Sequence, residues 1–182
     1  MIKVVIDTGV LMSNIGGYRA TDIEREYVAK GVLNFLTSNS SKFALYYSER
    51  TQEELIRNTS REIALIELNK YEMLPSHILD QTWGETGQMW QNIATIYGDE
   101  RESDLAGLLR DKLPDKRTKS NRNDRGITGD AIMNYCDVIL TENPKDFNKL
   151  QEECEENGIL LINLIKQTSD SVISKLQELP DK

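Results

Sequence analysis

The sequence predicts an α/β fold: an open parallel sheet of four to five strands, with helices on both faces and a helical insertion. Short apolar runs rich in β-branched residues alternate with longer segments in which apolar residues recur every three or four positions. Continuously apolar strands are buried on both faces, which is typical of parallel sheets covered by helices. A chain of 182 residues has the length of one such domain, so we expect a single domain over 1–182.

Four segments have the composition of buried strands. The first is Ile2–Ile6, and the others are Phe43–Tyr47, Asp137–Leu140 and Ile159–Ile162. Glycine tolerates the left-handed conformation that ends many helices, so Gly158 is expected to end the helix before the last strand. Helical spacing of apolar residues predicts helices over 22–36, 51–68, 124–135, 146–156 and 168–179.

The segment from about 75 to 123 departs from this alternation, and we interpret it as the helical insertion. Trp83, Trp90 and Tyr97 recur at seven-residue intervals, and a second helical segment follows at about Leu105–Leu113. An aromatic stripe of this kind usually packs in a core or an interface, and base stacking is the alternative. Five cations then fall within ten residues, in a polar stretch predicted to be an irregular loop: Lys116, Arg117, Lys119, Arg122 and Arg125.

The composition argues against several classes of protein. A net charge of −8, from 22 basic and 30 acidic residues, does not favour a protein held on nucleic acid by bulk attraction. His77 is the single histidine, and Cys136 and Cys154 are the only cysteines. A histidine-based triad, a zinc site and a disulfide framework are therefore disfavoured. With only two cysteines, a reducing, cytoplasmic location is expected. Because no apolar run approaches the ~20 residues of a membrane span, we expect no membrane partner.

Four acidic residues fall where one edge of the predicted sheet could collect them. Asp7 follows the first strand, Glu54 lies early in the helix after the second, Asp124 opens the helix before the third, and Asp146 follows the third. In open parallel sheets, ligands bind beyond the carboxyl ends of the strands. Crowded carboxylates must be neutralised by protons or cations. Oxygen ligands without histidine or cysteine favour Mg²⁺ or Mn²⁺, and a pair of such ions can drive phosphodiester hydrolysis.

The same motifs resemble those of the PIN-domain ribonucleases, including the VapC-like members. The matching text is VVIDTGVL, TQEEL, DRGITGDA and VILTENPKDF, in the family's order and strand–helix context. The resemblance covers both ends of the chain and hardly the middle. It implies a metal-dependent endoribonuclease using Mg²⁺ or Mn²⁺. The residues that match the family's catalytic and metal-binding acids are Asp7, Glu54, Asp124 and Asp146, and those in supporting positions are Thr8, Thr141 and Asn143.

Two positions depart from the family pattern. Gly9 replaces an asparagine that braces the loop after the first strand, although glycine can adopt unusual backbone angles there. Asn143 stands where a further acid often follows the third strand. These departures motivate an alternative, a catalytically degenerate PIN fold that binds RNA or protein. A structure-selective DNA nuclease with a related active site is a third interpretation.

Structural interpretations compete at individual acids. Glu54 has capping-box spacing from Thr51, which would make it a helix-terminal residue. Glu53 is its neighbour, and would take its place if the helix is shifted by one residue. Asp124 has the position of a helix N-terminal charge favoured by the helix dipole, and Asp130 lies on the same helix. Asp-Thr-Gly also occurs in aspartic proteases, but those are all-β proteins.

The cations before Asp124 give the substrate prediction. Lys119, Arg122 and Arg125 are placed to bind RNA phosphates, although solvated surface is the usual fate of such a stretch. The family resemblance also allows a toxin of a toxin–antitoxin pair. Its partners would then be an antitoxin protein and a second copy of the chain in a homodimer.

Overall fold

The computed structural model describes residues 1–16, 23–75, 100–114 and 120–180. Within them, five strands form one parallel sheet: β1 (Ile2–Ile6), β2 (Phe43–Tyr47), β3 (Glu72–Met73), β4 (Val138–Thr141) and β5 (Leu160–Asn163). The strand order is β3-β2-β1-β4-β5, so the first strand lies at the centre. The predicted α/β class and parallel sheet are confirmed. β3 was not predicted, because two exposed residues carry no periodicity.

The described helices cover most of the predicted helical segments. They are α1 (Thr8–Asn14), α2 (Ile23–Ser38), α3 (Glu49–Asn58), α4 (Arg61–Leu68), α5 (Glu100–Lys112), α6 (Ser120–Met133), α7 (Pro144–Phe147), α8 (Gln151–Glu156) and α9 (Ser169–Gln177). Where a loop was expected after β1, the chain enters α1 at once. In the described parts of the chain, no helix has the length and apolar composition that a bilayer crossing requires.

Alternate residues of β1 point into two different cores. Ile2, Val4 and Ile6 pack on one face of the sheet with apolar residues of α1, α2, α3, α4 and α9. Val5 packs on the other face with residues of α5, α6 and α8. Both faces are thus buried, as the apolar strand composition predicts.

The prediction of a single helix over 51–68 is wrong, because the helix is interrupted at Thr59, whose backbone is extended. Ser48 accepts a hydrogen bond from the Thr51 backbone N–H at 3.2 Å and caps α3. Ser60 caps α4 in the same way. The capping-box interpretation of Glu54 therefore fails, since α3 begins two residues before Thr51 and leaves Glu54 in its second turn.

The helix predicted over 146–156 is also two helices, α7 and α8, with α7 starting at Pro144. Proline suits a first helical position because its missing N–H would have no helical partner. Gly158 ends α8 with φ 71°, as predicted. The N–H groups of Gly158 and Ile159 donate to the carbonyls of Glu155 and Cys154, which satisfies two carbonyls of the last turn.

α6 begins at Ser120, four residues before the predicted start. Asp124 therefore lies in the second turn, so a role as a simple N-terminal helix charge is wrong. Arg122 and Arg125 belong to this helix and not to a loop. The other predicted features of the middle region lie outside the described residues: His77, Trp83, Trp90, Tyr97, Lys116, Arg117 and Lys119.

Candidate functional site

A cleft of about 490 Å³ opens at the carboxyl edge of the sheet, where β1 and β4 lie side by side. This is the point at which the strand order reverses, since the chain runs outward from β1 to β3 and then returns to β4. Ligands of open α/β sheets bind at such positions. The described residues that line the cleft are Asp7, Thr8, Gly9, Met12, Arg25, Glu54, Asn58, Asp124, Glu142 and Asn143.

Asp7 lies at the inner end of the cleft and is 5% exposed. The Thr141 hydroxyl donates to its Oδ2 at 2.8 Å across the β1–β4 junction. The pKa of Asp7 is raised from 3.8 to about 6. Burial is the largest cause, the Thr141 hydroxyl partly offsets it, and the negative charge of Glu54 adds to it. Asp7 is thus held where its negative charge is unfavourable.

Glu54 faces the cleft from the second turn of α3. Its Oε2 accepts hydrogen bonds from Thr8 Oγ1 at 3.1 Å and from Asn123 Nδ2 at 3.2 Å. Glu53 points outward instead, with a half-exposed side chain 3.5 Å from Arg50. Of the two neighbouring glutamates, the structure therefore brings Glu54 to the predicted site.

Asp124 and Asp146 approach the same amide. Asn143 Nδ2 lies 3.0 Å from Asp124 Oδ2 and 3.4 Å from Asp146 Oδ2. The Asn143 backbone N–H donates to Thr141 Oγ1 at 2.9 Å, which links this amide to the partner of Asp7. Asp124 lines the cleft, but Asp146 is not among the described residues that do so. The two carboxylates are thus separated by a neutral donor.

Sequence reasoning missed Glu142, which lines the cleft from the loop after β4. Its Oε2 accepts a hydrogen bond from Ser13 Oγ at 2.7 Å. Gly9 lies beside it: a Cβ atom added to Gly9 would be 3.2 Å from Glu142 Cβ. Gly9 does not have a positive φ, so unusual backbone angles do not explain the glycine. Its lack of a side chain instead allows the close approach of Glu142. Glu142 lies inside the motif VILTENPKDF, but nothing in the motif indicates that it faces the cleft.

Two other predicted residues do not reach the cleft. Asp130 lies near the opposite end of α6. There it contributes, after burial and Asp137, to raising the pKa of the Cys136 thiol to about 12. Arg125 is 2% exposed and its guanidinium donates to the Leu113 carbonyl. Its side chain therefore faces the interior, where a backbone carbonyl occupies it, and its predicted contact with RNA stays a prediction.

The cation that lines the cleft, among the described residues, is Arg25 of α2. Neither Arg25 nor Asn123 was singled out in the sequence, because neither lies in a recognisable motif. The packing of α2 and α6 around the sheet brings Arg25 to the cleft and Asn123 to the carboxylate of Glu54.

The oxygen-rich lining suits a hard divalent cation. Among the described residues, no three histidine, cysteine or acidic side chains converge closely enough to hold a metal ion by themselves. Mg²⁺ is commonly held by one or two carboxylates, with waters and substrate phosphates completing its shell. Glu54 lies close enough to Asp7 for its negative charge to raise the pKa of Asp7. The donors present thus fit an ion shared between protein and substrate.

The chain matches no model of a known protein family and no curated protein. The geometry of the cleft and the sequence motifs therefore carry the functional argument.

Proposed function

We propose that the chain is a Mg²⁺- or Mn²⁺-dependent endoribonuclease whose active centre is the cleft. The supporting observation is convergence: Asp7, Glu54 and Asp124 come from three elements far apart in the sequence and line the same cleft. Neutral donors hold all three carboxylates. Asp7 and Asp124 are buried, and Glu54 is partly buried beside Asp7. Carboxylates crowded in this way repel one another, and a divalent cation would relieve that repulsion.

Divalent ions bound here would supply an activated water and neutralise charge on the departing oxygen. Asp7, Glu54 and Asp124 would hold them. Thr141 orients Asp7 through the 2.8 Å hydrogen bond, and Asn143 orients Asp124. Asp146 would act on the site indirectly, through Asn143, whose amide also donates a hydrogen bond to it.

Protonation of the cleft adds a pH dependence. With a pKa of about 6, Asp7 keeps a proton in mildly acidic solution and releases it near neutrality. Cations bind the ionised carboxylate, so cation affinity should rise as the pH passes through 6. Arg25 on the cleft wall offers a positive charge and a planar donor group to a phosphate.

RNA as the substrate rests on the resemblance of the four motifs to PIN-domain ribonucleases. The binding-module alternative has its own support. Asp7, Glu54 and Asp124 each accept a hydrogen bond from a neutral side chain, and no three acids of the described residues lie close enough to hold a metal ion by themselves. A toxin role, an antitoxin partner and a homodimer are proposals that follow from the same resemblance alone.

Neighbouring glutamates of α3 provide the test. Purified protein should cleave single-stranded RNA with Mn²⁺ and stop with EDTA. Glu54→Gln should lower the rate about 100-fold or more, the scale of losing one charge-stabilising group in an active site. Glu53→Gln, its matched control on the outer face, should stay within about twofold because surface changes of this kind have little effect.

Three outcomes separate the alternatives. Equal rates for Glu54→Gln and the parent would refute the metal-centre assignment. Mn²⁺-dependent cleavage of a matched DNA strand, with RNA left intact, would establish the DNA nuclease. Binding of RNA without cleavage, unaffected by Mn²⁺, would favour the binding module.

A further inference from the structure

The cleft extends beyond its acids along two of the helices that enclose it. On α1, Met12 lies four residues after Thr8, which donates a hydrogen bond to Glu54. On α3, Asn58 lies four residues after Glu54 itself. Four residues advance a helix by about 6 Å. Met12 and Asn58 line the cleft together with Arg25 of α2, and we call the part lined by these three residues the outer cleft.

Arg25 belongs to the first turn of α2, which begins beside the end of α1. A Cβ atom added to Gly16, just after α1, would be 3.6 Å from the Oε2 atom of Glu26, the residue after Arg25. Asp7 caps the other end of α1. The backbone of Arg25 therefore lies towards the end of α1 that is away from Asp7.

The charges of the cleft wall are unevenly divided. Among the described residues that line the cleft, Arg25 is the only cation. The other charged residues there are Asp7, Glu54, Asp124 and Glu142. An RNA strand brings further negative charge into this cleft. A charged contact that attracts the strand must therefore come from a metal ion or from Arg25.

The guanidinium of Arg25 suits a phosphate for two reasons. Its planar fork can donate to two phosphate oxygens at once. Its five N–H donors also allow it to keep a contact within the protein while it binds a phosphate. The side chain is partly buried in the cleft wall, so less conformational freedom is lost on binding than for a fully exposed arginine.

We propose that the outer cleft binds the nucleotide next to the cleaved phosphodiester, with Arg25 on the phosphate of that nucleotide. This inference rests on the proposed function and names the part of the substrate that the cleft recognises. Met12 is buried and presents an adaptable apolar surface to the base or sugar. Asn58 is exposed, and its amide can both donate to and accept from a base edge. A base must be unpaired to reach these side chains, so the outer cleft selects single-stranded RNA.

Fluorescence anisotropy with a labelled single-stranded RNA in Mn²⁺ tests the phosphate contact. The reference protein carries Glu54→Gln, which slows cleavage under the proposed function. Adding Arg25→Gln should weaken RNA binding about tenfold or more, the scale of one lost charge-assisted hydrogen bond. The slope of log affinity against log salt should fall by ~0.7, as expected for one phosphate contact on a single strand. Arg61→Gln, which removes an exposed cation at the start of α4, should change the affinity by no more than about twofold.

Arg25→Lys separates the charge from the shape of the group. Lysine keeps the positive charge but lacks the planar fork, so the salt slope should stay at the reference value while the affinity falls severalfold. This variant also carries the test if Arg25→Gln does not fold. Equal affinity and equal slope for the reference protein and a folded Arg25→Gln variant would overturn the inference. A reference protein that binds no RNA would overturn it as well.

A double-mutant cycle tests whether Asn58 contacts the same nucleotide. Asn58→Ala should weaken RNA binding severalfold in the reference protein and by less in Arg25→Gln, because groups that hold one ligand fragment couple. Asn34→Ala, on the exposed face of α2, is the matched control and should have no effect. Losses that add fully would overturn the assignment of Asn58 to the outer cleft.

Cleavage kinetics distinguish failure of this inference from failure of the proposed function. In the chain that retains Glu54, Arg25→Gln should raise KM about tenfold and change kcat by no more than about twofold. A contact made equally in the ground and transition states affects KM alone. An unchanged KM in an active enzyme would overturn the outer cleft and leave the nuclease standing. Arginine-dependent RNA binding by a chain that never cleaves would overturn the nuclease and leave the phosphate contact.

Discussion

Two acids at opposite ends of α1 illustrate opposite effects of burial. Glu67, in α4, is 2% exposed and accepts hydrogen bonds from Lys70 Nζ at 2.6 Å, Asn14 Nδ2 at 2.7 Å and the Tyr71 hydroxyl at 2.7 Å. Asp7 is about as deeply buried, but one neutral side chain, Thr141, donates to it, and among the described residues it forms no ion pair.

The comparison distinguishes an acid whose charge stabilises the fold from one whose charge destabilises it. A cation and two neutral donors compensate the charge of Glu67, and they join α4 to the end of α1. The charge of Asp7 faces another carboxylate, Glu54, and its pKa is raised to about 6. Removing the two charges should therefore change stability in opposite directions.

Removal of the Glu67 carboxylate should have the largest effect. Glu67→Ala leaves the Asn14 amide and the Tyr71 hydroxyl without their acceptor, and we expect the free energy of unfolding to fall by about 3 kcal/mol. Urea denaturation at pH 7 measures it. Glu62→Ala, on the exposed face of α4, should change it by no more than about 0.5 kcal/mol. A similar small change for Glu67→Ala would abolish the contrast.

Asp7→Asn should stabilise the metal-free protein. Because the pKa of Asp7 in the folded state, about 6, exceeds the unfolded value of 3.8, ionised Asp7 destabilises the fold above pH 6. The penalty vanishes below about pH 4, where both states are protonated. A shift of about two units corresponds to ~3 kcal/mol at 1.36 kcal/mol per unit. We expect a gain of about 2 kcal/mol, since asparagine is the weaker acceptor for Thr141.

Urea denaturation in EDTA, at pH 7.5 and at pH 4, measures this gain. It should be present at the higher pH and absent at the lower one. A loss of stability at pH 7.5 would mean that the Asp7 charge is compensated in the fold, as that of Glu67 is.

Thr141→Val should have the smallest effect of the three, and it sharpens the account of Asp7. Loss of the hydroxyl removes the side-chain hydrogen bond that lowers the Asp7 pKa. Hydrogen bonds to charged groups contribute ~1.5 kcal/mol or more, so the pKa should rise by about one unit. Carbon-13 NMR titration of the aspartate carboxyls measures it, and Thr141→Ser should keep the parent value. An unchanged pKa in Thr141→Val would remove the hydroxyl from the explanation.

Much of the site could be predicted because strand ends meet at one edge of a parallel sheet. Asp7 and Asp124 could be predicted from the placement of their motifs relative to the strands alone. The prediction of Glu54 also depended on which side of its helix faces the edge of the sheet. Glu142 could not be found this way. Its place in the cleft depends on how closely α1 approaches the loop after β4, which Gly9 permits and Ser13 secures. That contact spans about 130 residues of sequence and leaves no periodic pattern.

The basic segment, 116–125, was predicted to be a loop, and for 120–125 the prediction failed for a different reason. Its polar composition suggested a loop, since nothing between 115 and 125 repeats with helical spacing. In the structure, Asn121 donates to the Pro114 carbonyl at 2.8 Å, and Arg125 donates to that of Leu113. Their side chains donate hydrogen bonds to carbonyls just beyond α5, so these polar residues stabilise the protein interior. Composition alone does not distinguish a cation that meets a backbone carbonyl from one that meets water.

The central position of β1 has a consequence for biosynthesis. β1 is translated before the other described strands, yet one of its two neighbours, β4, begins only at Val138. At 5–20 residues per second, roughly 7–26 s pass after β1 is translated before that side of it can pair. Thr141 emerges later still, so Asp7 remains without its hydroxyl partner until then. The cleft can therefore assemble only after β4 has been translated, about 130 residues after β1.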